Sequence, residues 1–395
     1  MSETAKGKVG IEVSLAVSEA VKQCDTDVIS AYPITPQTHI VEHLAELVAN
    51  GELDAEFIPV ESEHSAMSVC AGSSAAGART FTATASQGLA LMAEIVYCVS
   101  AMRLPMVMVV ANRSLNSPLS IWNDHGDVMM VRDSGWVQIF VENGQEAYDH
   151  VFWCFRVGED AKVLHPVMLN MDGFIVTHVV EPIEFWSEDM VRKFLPPFKP
   201  VHRLDPEKPA TFGAFGPPEI FTEAKMAQEH ALMASMPVIE KAWDELFELC
   251  GRRYQPVESY RFEDAKILFV TMGSIGETAR VAIDEMRETG EQIGLVSLRL
   301  WRPFPFARFK DAVRNAEVLV VIDRAIVFGG VGGPVAAELR SALYSEKKRP
   351  KVVNFIAGLA GRDVQPDDFW QMLERAKNRV AEGREDEFEI YGVRG

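Results

Sequence analysis

Residues 105–114 read Pro105-Met-Val-Met-Val-Val-Ala-Asn-Arg-Ser114. The apolar run 106–110 is unbroken. A strand wetted on one face alternates apolar and polar residues, so this run suits a central strand buried on both faces. Outward from it, further short apolar runs lie at 27–31, 56–60, 80–84, 136–141 and 167–170, with helical patterns between them at 11–22, 38–50, 65–77 and 88–102. Strands and helices alternating in this way predict an α/β fold, with largely parallel sheets covered by helices on both faces.

A second α/β unit is expected from about residue 265. Its strands are predicted at 266–271, 294–298, 318–322 and 351–355, and its helices at 277–289 and 334–344. Between the two units the strand–helix rhythm stops. Residues 181–260 carry Pro-rich pieces and one predicted long amphipathic helix over 219–249. A connection of this length is either an ordered arm that packs on a partner or an ordinary surface linker. The expected division is therefore 1–180, 181–260 and 261–395. The Glu- and Arg-rich tail reads as a solvated helix end.

Composition narrows the functional classes. The chain has 395 residues, 48% hydrophobic and 24% charged, which is globular rather than disordered. A net charge of −18 argues against general affinity for nucleic acid or an anionic membrane. Cys24, Cys70, Cys98, Cys154 and Cys250 are scattered, with no C-x-x-C pair. Neither a disulfide framework nor a thiolate metal cage is expected, so any iron–sulfur cluster belongs on another chain. Residues 1–8 lack the apolar core of a signal peptide, and no apolar run approaches about 18 residues. A cytoplasmic location is expected, with no membrane span.

Ligands of doubly wound sheets bind beyond the carboxyl ends of the strands. The residues that follow the predicted strands there are Tyr32-Pro-Ile-Thr-Pro36, Glu61-Ser-Glu-His64, Ala85-Ser-Gln-Gly88 and Asn112-Arg-Ser114, and a later loop carries Trp122-Asn-Asp-His125. Each has two readings. The double proline fixes backbone geometry, as a rigid turn or as a substrate loop. Glu61 and Glu63 suit helix capping or catalysis. Ser86-Gln87-Gly88 is a tight turn or a cofactor edge. Arg113 suits a structural ion pair or a fork onto a carboxylate. Asn123, Asp124 and His125 lack metal-ligand spacing and read as a loop network. Two glycine-rich turns, Gly273-Ser-Ile-Gly276 and Gly329-Gly-Val-Gly-Gly333, are candidate anion nests, although neither completes a dinucleotide fingerprint and no P-loop is present.

Six segments together carry a resemblance: Tyr32-Pro-Ile-Thr-Pro-Gln37, Glu61-Ser-Glu-His-Ser-Ala66, Thr82-Ala-Thr-Ala-Ser-Gln-Gly88, Ile121-Trp-Asn-Asp-His125, Leu169-Asn-Met-Asp-Gly-Phe174 and Asp323-Arg-Ala-Ile326. In this order, over nearly the whole chain, they resemble the α subunit of 2-oxoacid:ferredoxin oxidoreductases, the pyruvate:ferredoxin oxidoreductase family. The resemblance implies a thiamine-diphosphate-fold pyrimidine-side domain over 1–180, an arm, and a transketolase C-terminal-like domain over 261–395. It implies thiamine diphosphate shared with a β subunit that holds the diphosphate and Mg²⁺, and [4Fe-4S] clusters on partner chains. The G-D-G motif that binds the diphosphate in this superfamily is missing here, which suits that division. A ferredoxin-like chain and a γ chain, separate or fused, ferredoxin itself, and a dimer of heteromers are implied too.

By the same resemblance, Glu63 meets the aminopyrimidine and favours the tautomer that takes the thiazolium C2 proton. Thr35 and Arg113 hold the substrate carboxylate. Tyr32, Pro33, Ile34, Ser86, Gln87 and Gly88 line the cofactor. No metal ligand is implied on this chain. Pyruvate is the first expected substrate. Polar residues at Ser114, Asn116 and Ser117 make oxalate, used without coenzyme A, the alternative. Outside this reading stand a non-catalytic scaffold and, from the two glycine-rich turns, a nucleotide-binding acyl-CoA synthetase relative.

Overall fold

The computed structural model describes residues 7–394. In chain order its strands are β1 Val9–Glu12, β2 Val28–Ala31, β3 Glu56–Pro59, β4 Thr80–Thr84, β5 Val107–Asn112, β6 Val137–Phe140, β7 Val167–Asp172, β8 Val180–Ile183, β9 Val257–Tyr260, β10 Ile267–Thr271, β11 Ile293–Leu298, β12 Leu300–Arg302, β13 Val318–Asp323, β14 Lys351–Ile356 and β15 Phe388–Ile390. Its helices are α1 Val13–Gln23, α2 Thr38–Ala49, α3 Glu63–Ala76, α4 Ser86–Ala101, α5 Gly126–Met130, α6 Gly144–Gly158, α7 Glu188–Phe194, α8 Pro218–Ala234, α9 Met236–Cys250, α10 Ile275–Glu288, α11 Phe306–Val313, α12 Pro334–Leu343 and α13 Pro366–Glu382.

The first sheet has the order β12-β6-β7-β5-β4-β2-β3. Its core strands pair in parallel, and β5 stands in the middle with all six residues buried. The unbroken apolar run therefore forms the doubly covered strand expected of it. The second sheet, β15-β14-β13-β10-β11-β9, is parallel except at its β9 edge. Helices α1, α2 and α6 cover one face of the first sheet over Ile29, Phe81 and Val109. The other face contributes Met108 and Val110 to a cluster that also contains Val270 and Val296 of the second sheet. One apolar layer thus joins the two sheets, which gives their relative position a hydrophobic cause.

Three expectations need correction, and one element is additional. The single helix over 219–249 is two, α8 and α9, because Pro237 stands in the first turn of α9. Proline has no N–H to continue the ladder and its ring crowds the preceding turn. The tail after α13 is not only a helix end: β15 adds to β14 in parallel. Residues 300–302 leave the second unit and form the antiparallel edge of the first sheet against β6. The ribbon of β1 and β8 was not anticipated either.

Candidate active site

The segments after β2, β3, β4 and β5 converge at one edge of the first sheet. Ser62 caps α3, its hydroxyl accepting from Ser65 N at 3.3 Å, so Glu63 opens the helix and does not cap it. Glu63 is only 7% exposed, yet its carboxylate has no hydrogen-bond or ion-pair partner among the described residues. Its oxygens are not fully enclosed, so the carboxylate opens onto the pocket, where a ligand can complete it. Its neighbour is Gly88 in the first turn of α4. A Cβ on Gly88 would lie 2.7 Å from Glu63 Oε1 and 2.5 Å from Thr84 Oγ1, so only glycine fits there. The Thr84 hydroxyl is likewise buried without a partner.

Arg113 closes the opposite side. Its Nε donates to Ser120 O at 2.8 Å and its Nη1 to Thr35 O at 2.9 Å. Nη2 has no protein partner among the described residues, so both of its N–H donors remain free. Burial pulls its pKa down and Asp127 partly opposes this, but an arginine keeps its charge. Thr35 thus meets Arg113 through its carbonyl, while its residue surface, like that of Tyr32 and Pro33, is exposed and Ile34 is half-buried. Gln37 Nε2 donates to Tyr32 O at 2.8 Å and holds the turn closed.

The two sides are tied together by Asp127, a residue that motif reading missed. Its carboxylate accepts from Ser86 N and Arg113 N, both at 3.0 Å, and from Asn112 Nδ2 at 3.1 Å. Complete burial pushes its pKa up to about 6. Ser86 sits at φ +45°, a strained region for a residue with a Cβ, and is held there by Asp127 and by its own hydroxyl donating to Ser114 O at 2.6 Å. Gln87 Oε1 accepts from Asn116 N at 3.0 Å. Ser114 Oγ donates to Trp122 O at 3.2 Å, so it is occupied by the backbone.

His125 and Asp124 serve a different purpose. Asp172 Oδ1 lies 2.8 Å from His125 Nε2, and its Oδ2 accepts from Arg324 Nη1 at 2.7 Å and Ser274 N at 2.9 Å. Burial pushes the Asp172 carboxyl up, but Arg324, His125 and Ser274 together outweigh it and hold it below the usual carboxylate range. Asp124 accepts from Gly126 N and Ala360 N, and burial pushes its carboxyl up. This network spans the two sheets.

It also removes both anion nests. Asp172 fills the turn at Ser274. Asp323 accepts from Val335 N at 2.8 Å and Ala336 N at 3.1 Å at the start of α12. A Cβ on Gly333 would lie 2.0 Å from Asp323 Cγ, so that turn is packed against the chain's own carboxylate. The acyl-CoA synthetase reading loses its two phosphate cradles.

The sequence profile described as "Pyruvate flavodoxin/ferredoxin oxidoreductase, thiamine diP-bdg" matches residues 19–244, and "Pyruvate:ferredoxin oxidoreductase core domain II" matches 265–369. The chain is 50% identical over 368 residues to pyruvate synthase subunit PorA of Methanothermobacter thermautotrophicus, covering 93% of this chain and 95% of that one. It is 40% identical to ketoisovalerate oxidoreductase subunit VorA of Pyrococcus abyssi, covering 96% of each. In fold it is similar to 2-oxoglutarate:ferredoxin oxidoreductase from Magnetococcus marinus. That match has a TM-score of 0.67 and 19% identity, over 95% of this chain and 66% of the other.

Proposed function

The chain belongs to the pyruvate:ferredoxin oxidoreductase family, and from that premise we propose that it is the α-type subunit of a 2-oxoacid:ferredoxin oxidoreductase, with pyruvate as first substrate. The observation that carries this is the buried, unpartnered carboxylate of Glu63 beside the bare Cα of Gly88. Those residues fit the polar edge of a flat aminopyrimidine: a carboxylate with no protein partner, an unsatisfied Thr84 hydroxyl, and a glycine that leaves room for both side chains. Thiamine diphosphate, when bound, supplies the electron sink that lets a 2-oxo acid lose CO₂.

The chain's own part follows from its side chains. Glu63 holds or accepts a proton at its carboxylate oxygens. Arg113 donates its free Nη2 hydrogens to the substrate carboxylate. Thr35 offers a hydroxyl next to that anion, and the 32–37 turn with Gln87 walls the pocket. Asp127 is a positioning residue that keeps Arg113 and the turn of Ser86 in register.

Mg²⁺, the diphosphate half-site and the [4Fe-4S] clusters are assigned to partner chains: a β subunit, and ferredoxin-like and γ chains. The thiols support this. Burial pushes Cys70 up to about 12 and Cys24 and Cys154 well above their ordinary value, so they are poor thiolate ligands. Dimerisation of the heteromer, passage of electrons to ferredoxin and a cytoplasmic location belong to the same proposal. No helix among the described residues is long and apolar enough to cross a membrane. Residues 1–180 are assigned as the pyrimidine-side domain, 181–260 as the arm and 261–395 as the transketolase C-terminal-like domain. Pyruvate stands first because identity to the pyruvate synthase subunit is higher than to the ketoisovalerate one. The polar-pocket argument for oxalate is weakened by Ser114, whose hydroxyl is turned to the backbone.

The test is a substrate titration of the assembled complex. Arg113→Ala is expected to raise the KM for pyruvate by about 10- to 100-fold, the worth of one charge-assisted pair, with the affinity for thiamine diphosphate nearly unchanged. Equal losses in both would place Arg113 in the scaffold instead.

A further inference from the structure

Behind the 32–37 turn, one group of side chains has the composition of a metal site. Glu12, His39 and His178 each bring one ligand atom, and these atoms all lie within 4.8 Å of one another. Glu12 Oε1 stands 2.6 Å from His39 Nδ1. The imidazoles of His39 and His178 lie with centroids 4.6 Å apart at 38°. His178 Nδ1 is engaged by Thr177 Oγ1 at 2.7 Å, and that hydroxyl oxygen also accepts from Phe174 N at 2.8 Å. Nε2 of His178 is therefore the nitrogen left to ligate, with its tautomer set by an outer hydrogen bond as metal-bound histidines require.

The three residues are carried on backbone that cannot drift. Val13 N donates to Val179 O and Ser14 N to Thr177 O, both at 3.0 Å, which locks the start of α1 to the approach of β8. Ser18 Oγ donates to Ile40 O at 3.1 Å, which locks α1 to α2. A tetrahedral ion with ligands at about 2.1 Å sets its donors about 3.4 Å apart. The observed separations, from 2.6 Å for Glu12 and His39 up to at most 4.8 Å, bracket that spacing.

We propose that Glu12, His39 and His178 form a binding site for one divalent transition ion of the zinc class, with a water in the fourth position. Two imidazoles and one carboxylate suit zinc and exclude calcium or magnesium, which prefer all-oxygen shells. The ion ties α1, α2 and the β1–β8 ribbon together just behind the 32–37 turn. It is distinct from the Mg²⁺ assigned to the partner.

The experiment is a titration of the chelator-treated full chain with Zn(II), read by calorimetry, and with Co(II), read by its visible ligand-field band. The wild type is expected to bind one equivalent with micromolar or tighter affinity and to gain thermal stability from Zn(II). His178→Ala and the double variant His39→Ala/His178→Ala are expected to weaken binding about 100-fold or more. His202→Ala, an exposed histidine elsewhere, should leave it unchanged. Glu12→Gln keeps the side chain's size and decides the matter if the histidine variants fold poorly: a loss of about tenfold or more supports the site. An absence of saturable binding in the wild type overturns the proposal. So does Zn(II) binding that is unchanged in the folded double variant or in Glu12→Gln.

Discussion

The complex carrying Glu63→Ala is expected to lose 2-oxo-acid-dependent dye reduction by about 10²- to 10⁴-fold, the range contributed by a positioned acid–base group, while its subunits still assemble. Both halves follow from the geometry. Glu63 has no hydrogen-bond or ion-pair partner among the described residues, so truncating it breaks neither. The stability of the chain should fall little. A mostly buried carboxylate that makes no hydrogen bond or ion pair within the chain has its use in a ligand. A scaffold subunit would show the opposite pattern, with activity untouched. Steady-state kinetics on the assembled variant, with size-exclusion analysis of the same sample, reads both quantities.

Asp172→Ala is expected to destabilise the chain by about 3–5 kcal/mol, the cost of breaking a buried pair and stranding one partner. Arg324 is 4% exposed, and Asp172 is its closest carboxylate, at 2.7 Å. Ser274 would lose its acceptor as well. The pH dependence has a definite sign. The folded pKa of Asp172 is depressed, so its contribution is present above the unfolded carboxyl value, about 4, and is lost as pH falls through the folded value. The difference between wild type and variant in urea unfolding should therefore be full at pH 7 and shrink below about pH 4. A constant difference across that range would mean that packing, not charge, ties the two sheets.

The parallel sheets were legible because their strands are buried on both faces and so read as apolar runs, as in β5 and β13. What escaped was made by contacts remote in sequence. The three residues of β12 carry no period that assigns them to a sheet; their pairing with Ile139 and Gln138 decides it. Pro237 was visible, but a proline in the first turn of a helix and one inside a longer helix look alike without the break at Ser235. In the site, the segments that hold Glu63, Thr35 and Arg113 stood out because they follow strands, while the roles of these residues came from the family resemblance. Asp127 lies in a short helix after a long loop, and its role appears only when Ser86 and Arg113 are seen donating to it. His125 looked like part of a loop network, and its partner Asp172 is 47 residues away.

The central claim is that Glu63 is the working carboxylate of a thiamine diphosphate site completed by a partner chain. Solvent exchange of the cofactor's thiazolium C2 proton, followed by rapid quench and NMR on the assembled complex without substrate, tests it most directly. Glu63→Gln is expected to slow that exchange by about 10²-fold or more with the cofactor still bound. Exchange at the wild-type rate in the fully loaded variant would contradict the account.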